Sequence, residues 1–580
     1  MFGRPWHKLP TPFALLRLVS FRNKLRKNNL HDTSQIADKN KLPSPVPSPD
    51  DKHLVARMAD GSFNDLEHPE MGMAGTRFGR NVPLSDAKVD EQNLLEPNPR
   101  QVSKLLLARD EFRPATILNL HAASWIQFQT HDWFSHGDNQ PDNKFNIPLE
   151  EDDSWKEKYG SLEIDKTLKD PSRNDDNTNP ATFINKETHW WDGSQVYGSN
   201  QEIIDKLRSH VDGKMIIGED GLLPLNPETG VDDVGVSSNW WVGLSMLHTL
   251  FVREHNTICD HLKQIYPDWT DENLFNHARL INAALMAKIH TVEWTPAILP
   301  LAATDIALNA NWYGLLGKDI KRIFGRFGNS EILSGIMGSK TDHHTAPYYL
   351  TEEFVSVYRM HPLIPDELEF YDHETRQLVG KKDFKAAFNR ETRSLVEEIG
   401  MPDLFYSFGV TYPGAITLHN YPAFLRELNH ENGQIFDLAA VDILRDRERG
   451  LPRYNRFREI LGTGRVKSFE EITSNPQWAK ELREVYNNDI DSVDLMVGLF
   501  AEDLPEGFGF SDTAFRVFIL MASRRLKSDR FFTEDYRAEI YTKFGLDWIE
   551  NNSFVTILRR QYPDLIPRLT NTENGFKPWQ

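Results

Sequence analysis

Cysteine is almost missing. The 580 residues include one, Cys259, which excludes an internal disulfide framework and a thiolate zinc site. A reducing compartment is the simplest inference, and an intracellular location is expected. Runs of eighteen or more apolar residues are also missing, so no spanning helix is predicted. Positive charge is in deficit, with 66 Lys and Arg against 85 Asp and Glu and a net charge of -19. Nucleic-acid binding runs on clustered Lys and Arg that neutralise phosphates, so that class of partner is set aside.

What is present describes a soluble globular chain. Hydrophobic residues make up 39%, charged residues 26%, and 14 tryptophans are available for an aromatic interior. The length suits either two or three average domains or one large one. Beyond about Gln101 there is no repeat, low-complexity tract or further linker, which favours one body covering residues 71–580.

Two segments precede that body. Residues 1–40 are basic and amphipathic: no acid occurs before Asp32, and Phe13, Leu15, Leu16, Leu18, Val19 and Phe21 interleave with Arg17, Arg22, Lys24, Arg26 and Lys27. Such a helix can lie on an anionic membrane surface or pack on the rest of the protein, and both readings stay open. A cleaved signal peptide fits poorly, because Arg17 interrupts the apolar stretch and no small-residue cleavage site follows. Residues 41–70 open with "KLPSPVPSPDDK", a Pro- and Ser-containing linker.

Helical periodicity dominates the body. Trp241, Leu244, His248, Phe251, His255 and Ile258 recur at three- and four-residue steps, placing two histidines on an apolar stripe. "DENLFNHARLINAALMAKIHTVEW" behaves in the same way. Alternating strand signals are few and short, so a mainly α fold is expected.

Three stretches carry candidate chemistry. In "SWIQFQTHDWFSHG", Gln127 and His131 share a helix face while Asp132 points elsewhere. Taken alone, this is a core histidine satisfied by a glutamine. In "ETHWWDGSQVYGSN", Thr188, Trp190, Asp192 and Ser194 alternate. Side-chain and carbonyl oxygens on alternate loop residues, completed by an outside carboxylate such as Asp132, suit calcium; the plainer alternative is a turn whose Asp192 and Ser194 cap a helix. In "TEEFVSVYRMHPLIPD", Tyr358 and His361 are three apart, predicting phenol and imidazole on the same side of a helix ended by Pro362. His136 and His343-His344 lack the carboxylate-histidine spacing of a hydrolase zinc site.

With "THDW", "THWWDGS", "VREHN", "EEFVSVYRMH" and "LRDRERGLPRYNRFREILG" in this order, the chain resembles the haem peroxidase and cyclooxygenase superfamily. Within it the chain looks most like the fatty acid α-dioxygenases, through "LNLHAASWIQFQTHDWFSHG", "WYGLLGK", "DRERGLPRYN" and "ASRRLKSDRFFT", from about Gly72 onward. The resemblance implies a single large helical haem-peroxidase-like domain with few short strands. It implies His131 as the distal histidine with Gln127 beside it, His361 as the proximal haem ligand, and Asp442 as the partner of that ligand, where animal peroxidases usually have Asn. It makes Tyr358 the radical-bearing residue and places His290, Thr295 and Arg525 around a substrate carboxylate, although a shift of one residue would give Arg524 that role. The calcium set would be Asp132, Thr188, Trp190, Asp192 and Ser194. Thr130 stands where mammalian peroxidases carry an ester-forming carboxylate, so haem b is expected to be held noncovalently.

The function so implied is conversion of long-chain free fatty acids and O2 to 2-hydroperoxy fatty acids through a tyrosyl radical. The protein is expected to be a monomer with peripheral membrane contact through the basic amino-terminal segment. The rival readings are a haem peroxidase, a mid-chain fatty acid dioxygenase, and a non-catalytic haem-binding protein.

Overall fold

The computed structural model describes residues 5–36, 38–48, 50–173, 180–429 and 435–580, so the first four residues of the basic segment lie outside the described residues. The amino-terminal helix α1 (Thr11–Asn28) buries Ala14, Leu18 and Leu25. Two of its basic side chains also turn inward: Arg22 Nη2 and Arg26 Nη1 donate to Glu331 at 2.7 and 2.6 Å. Phe13 and Leu16 remain exposed on the same helix. The segment that follows returns to the body at Arg57, which is buried and paired with Asp529 at 2.9 Å.

Helix α2 (His121–Trp133) is buried along its length except at Gln127 and Thr130. It packs against α3 (Val242–Ile265), which in turn packs on α4 (Asp271–Ile289). The expected stripe on α3 is the buried one: Trp241, Leu244, His248, Phe251, His255 and Ile258 are each at most 1% exposed. Thr270 caps α4 by accepting from the Asn273 amide at 3.2 Å, as a helix N-terminus requires. Past Ile289 the helix widens into a π turn, His290–Trp294. The Thr295 hydroxyl donates to the His290 carbonyl at 2.7 Å, supplying a bond at this local irregularity. Helix α5 (Ala302–Tyr313) then packs beside α1.

The structure departs from expectation in α6 (Glu352–Val357). Thr351 caps it, and the buried Glu352 and Glu353 occupy the first turn, where the helix dipole favours acids. The helix stops at Val357, so Tyr358 and His361 do not share a helix face. Tyr358 has φ -93 and ψ 10, and His361 opens a separate one-turn 3-10 segment, His361–Leu363. Pro362 explains the break: it has no N–H to donate, and its ring would collide with the Tyr358 carbonyl if the helix continued.

Helix α7 (Leu438–Glu448) buries Asp442, Arg445, Asp446, Arg447 and Glu448 and is capped by Asp437, which accepts from the Ala440 amide at 3.1 Å. Helix α8 (Asp512–Ser528) carries Arg524 and Arg525 towards its C-terminal end and packs against α1 and α6. Among the described residues the strands form three antiparallel pairs: β1 (Asn139–Pro148) with β2 (Ser161–Thr167), β3 (Glu367–Tyr371) with β4 (Leu378–Asp383), and β5 (Leu428–Asn429) with β6 (Ile435–Phe436). The mainly α expectation holds. No described helix is long and apolar enough to cross a membrane.

Candidate active site

His361 is oriented by a buried carboxylate. Its Nδ1 lies 2.9 Å from Asp442 Oδ2, and a third of its side chain stays exposed. Asp442 also accepts from Arg359 Nη1 at 2.5 Å and from the Tyr421 hydroxyl at 2.8 Å. Burial pushes the Asp442 carboxyl up, but His361, Arg359 and these bonds outweigh it and hold it down at about 2. A carboxylate on Nδ1 selects the tautomer with Nδ1 protonated, which leaves Nε2 as a lone-pair donor. This donor chemistry is what a ligand of haem iron would need.

On α2, His131 is buried, its Nδ1 has no hydrogen-bond partner, and burial pushes its pKa down to about 4. It is therefore a neutral imidazole at pH 7, able to accept a proton. Gln127 does not satisfy it. The Gln127 amide is committed to the start of α3: Oε1 accepts from Trp241 Nε1 at 2.8 Å and Nε2 donates to the Asn239 carbonyl at 3.2 Å. Thr130 donates to the Gln127 carbonyl at 3.0 Å.

Asp132 faces the other way and meets the 188–194 loop. Its Oδ1 accepts from the Ser194 amide at 2.6 Å and from the Ser194 hydroxyl at 3.0 Å, while Oδ2 is buried and unpartnered. Asp192 Oδ1 accepts from the same amide at 3.2 Å, and the Thr188 hydroxyl has no partner. Burial first, and the charge of Asp192 second, raise the Asp132 carboxyl to about 8. Two buried carboxylates repelling each other beside an orphaned hydroxyl fit a hard cation. Arg279, 3.4 Å from Asp192, partly offsets that charge. Among the described residues no group of three or more His, Cys, Asp or Glu could hold a metal, so such a cation would lean on hydroxyl and carbonyl oxygens. Gly61 and Gly72 let two other segments press on this loop: a Cβ on Gly61 would lie 2.8 Å from Thr188 Cβ, and one on Gly72 2.6 Å from the Trp190 ring.

Tyr358, Arg525, His290 and Thr295 line one tight cavity of about 10 Å³, walled further by Leu308, Phe354 and Phe518. The Tyr358 ring meets Trp133 edge-on at 5.1 Å, and burial pushes its phenol far above the usual range. Arg525 is 2% exposed, lies over Trp133 at 4.1 Å and Trp191 at 4.4 Å, and has Nε and Nη2 without partners. Its neighbour differs: Arg524 Nη2 donates to the carbonyls of Ala346 and Pro347, both at 2.8 Å. A desolvated guanidinium with unused N–H groups facing a cavity suits a carboxylate.

Several contributors were not anticipated. Arg359 and Tyr421 complete the Asp442 cluster, Trp133 and Trp191 both contact the Arg525 guanidinium, and Trp125 donates to His290. The tryptophans sit inside the "SWIQFQTHDW" and "THWWDGS" stretches, where their adjacency to the candidate ligands was the available signal. Tyr421 had none.

Residues 56–572 match the model of the animal haem peroxidase family. Over 99% of its length the chain is 39% identical to alpha-dioxygenase PIOX of Oryza sativa subsp. japonica, covering 93% of that protein. It is 40% identical to alpha-dioxygenase PIOX of Pisum sativum, again over 99% of its length and covering 89% of the relative. A crystal structure of Oryza sativa fatty acid alpha-dioxygenase, a tyrosine-to-phenylalanine variant with palmitic acid, superposes with a TM-score of 0.91 at 38% identity, covering 99% of this chain and 94% of that one.

Proposed function

Because the chain belongs to the animal haem peroxidase family and within it to the fatty acid alpha-dioxygenases, we propose that it oxygenates long-chain fatty acids at Cα through a radical on Tyr358, with the carboxylate held by Arg525. It is an oxidoreductase that binds haem and acts on fatty acids with O2. His361, with Asp442 as its carboxylate partner, would hold haem b noncovalently, and His131 would supply a neutral imidazole able to accept a proton. Haem bound there supplies the one-electron oxidant that a phenol requires.

The chain's own residues do the rest. Tyr358, kept a neutral phenol by burial, would give both its proton and its electron to that oxidant and become a phenoxyl radical. That radical takes hydrogen from the substrate Cα and is again a phenol. O2 adds to the carbon radical, and the resulting peroxyl takes hydrogen from Tyr358, giving the 2-hydroperoxy acid and restoring the radical. Regiochemistry follows from position. A carboxylate bound by Arg525, with His290 and Thr295 on the same cavity wall, leaves Cα as the carbon next to the anchor and within reach of Tyr358.

The single observation that carries this reading is the placement of a buried, partly unpartnered guanidinium in the same cavity as Tyr358. Product analysis tests it: replacement of Arg525 should cost fatty acid binding and 2-hydroperoxide formation together, and unchanged formation would refute it. Calcium at Asp132, Thr188, the Trp190 carbonyl, Asp192 and Ser194 is part of the proposal, supported by the orphaned oxygens there. So is peripheral membrane contact, supported by the exposed Phe13 and Leu16 on a basic helix.

A further inference from the structure

His290 has an indole at its back. Trp125 Nε1 lies 3.2 Å from His290 Nδ1. An indole N–H can only donate, so Nδ1 must be the acceptor and must carry a lone pair. The proton of the neutral ring is then on Nε2, which donates to no described residue, and the ring lines the cavity shared with Arg525 and Tyr358. Burial, reinforced by Arg525, pushes the His290 pKa well down, so the doubly protonated ring does not compete.

The arrangement is rigid. Trp125 is fully buried and wedged among Phe128, Phe251, Phe554 and Phe576, with ring centroids 5.2 to 5.9 Å away. The imidazole is stacked on Trp294 at 4.7 Å and met edge-on by Trp133 and Trp191, each at 5.2 Å. Neither ring has room to turn away from the other.

We propose that Trp125 is a positioning residue for the reaction: by donating to Nδ1 it fixes His290 as an Nε2–H donor aimed at the substrate carboxylate. This rests on the reading above that the carboxylate binds beside Arg525. A carboxylate is an acceptor only, whereas an alcohol can donate or accept. Losing the lock should therefore weaken the acid and spare the alcohol.

The test measures binding of palmitate and of 1-hexadecanol to the haem-loaded full chain in a Tyr358→Phe background, where turnover does not interfere. Trp125→Phe should weaken palmitate about tenfold, the loss of one charge-assisted hydrogen bond, and leave the alcohol within about twofold. Replacing Trp125 by 3-benzothienylalanine, which keeps the shape and has sulfur in place of N–H, should do the same and covers the case in which the phenylalanine variant folds poorly. Unchanged palmitate affinity in the benzothienyl protein would overturn the proposal, and equal loss of both ligands would overturn it in favour of simple packing. Arg525→Gln and His290→Gln separate the two levels of inference. If neither affects palmitate, the placement of the carboxylate is wrong; if both do and Trp125 replacement does not, only the role of Trp125 is wrong.

Discussion

The Arg525 guanidinium carbon lies 4.1 Å from the centre of the Trp133 ring, and the same indole meets Tyr358 edge-on at 5.1 Å. One side chain therefore fixes the spacing between the cation proposed to hold the substrate and the phenol proposed to attack it. Cation–π contact holds the guanidinium in place without neutralising it, which leaves its charge for a ligand.

Arg525→Gln should lower palmitate affinity by about a hundredfold, as expected when a bidentate, charge-assisted pair is lost in a desolvated site. Arg525→Lys should fall in between, since it keeps the charge and loses the planar fork. Titration of haem-loaded protein with palmitate measures both, and equal affinities across the three proteins would contradict the anchor.

Arg524 is predicted to behave oppositely. Its contacts are backbone carbonyls, including Ala346 and Pro347, so Arg524→Ala should cost about 2–4 kcal/mol of stability through unsatisfied buried acceptors. Thermal melting reads the loss. A variant with wild-type stability and lost palmitate binding would exchange the roles of the two arginines.

Much of this site could be read locally in the sequence, and some could not. The stripe from Trp241 to Ile258 and the His131-Asp132 divergence follow from helical period alone, because they concern residues within a few turns of one another. Arg524 and Arg525 were indistinguishable because adjacent helical residues differ only by a rotation of about 100°, and the packing of α8 decides which one faces the cavity. Spacing puts Tyr358 and His361 on one helix face if Pro362 ends the helix only at its own position, but the effect of the proline reaches back four residues and the helix stops at Val357. Asp442, Arg359 and Tyr421 come from three chain segments, so their convergence exists only in the fold.

Chelation should expose the calcium site. A ligand bound only by the folded state stabilises it by about 2.7 kcal/mol at a hundred times Kd, so EDTA should lower the Tm of wild type. Asp132→Asn, which removes the carboxylate aimed at Ser194, should melt at the same temperature with or without EDTA. An EDTA-insensitive wild type would remove calcium from the account.

Acid sensitivity should involve His136. It lies 3.0 Å from Glu352 and stacks on Phe78 at 4.5 Å; burial first, then Arg449, push its pKa down to about 4. The unfolded chain, with an ordinary imidazole near 6.5, then binds more protons than the folded one between pH 6.5 and 4, so stability falls as pH falls through that window. Glu352, where burial is outweighed by His136, Arg449 and Arg80, is held down to about 2 and adds loss of the same sign at lower pH. His136→Gln should flatten the Tm profile between pH 6.5 and 4, and an identical slope in both proteins would contradict the assignment.

The most direct test of the central claim is oxygen uptake by haem-loaded protein given palmitate, with mass spectrometry of the product, in wild type and Tyr358→Phe. The predicted result is 2-hydroperoxypalmitate from wild type, and palmitate bound but no oxygen consumed in the phenylalanine variant. Sustained uptake by Tyr358→Phe, or a hydroperoxide placed away from Cα in wild type, would contradict it.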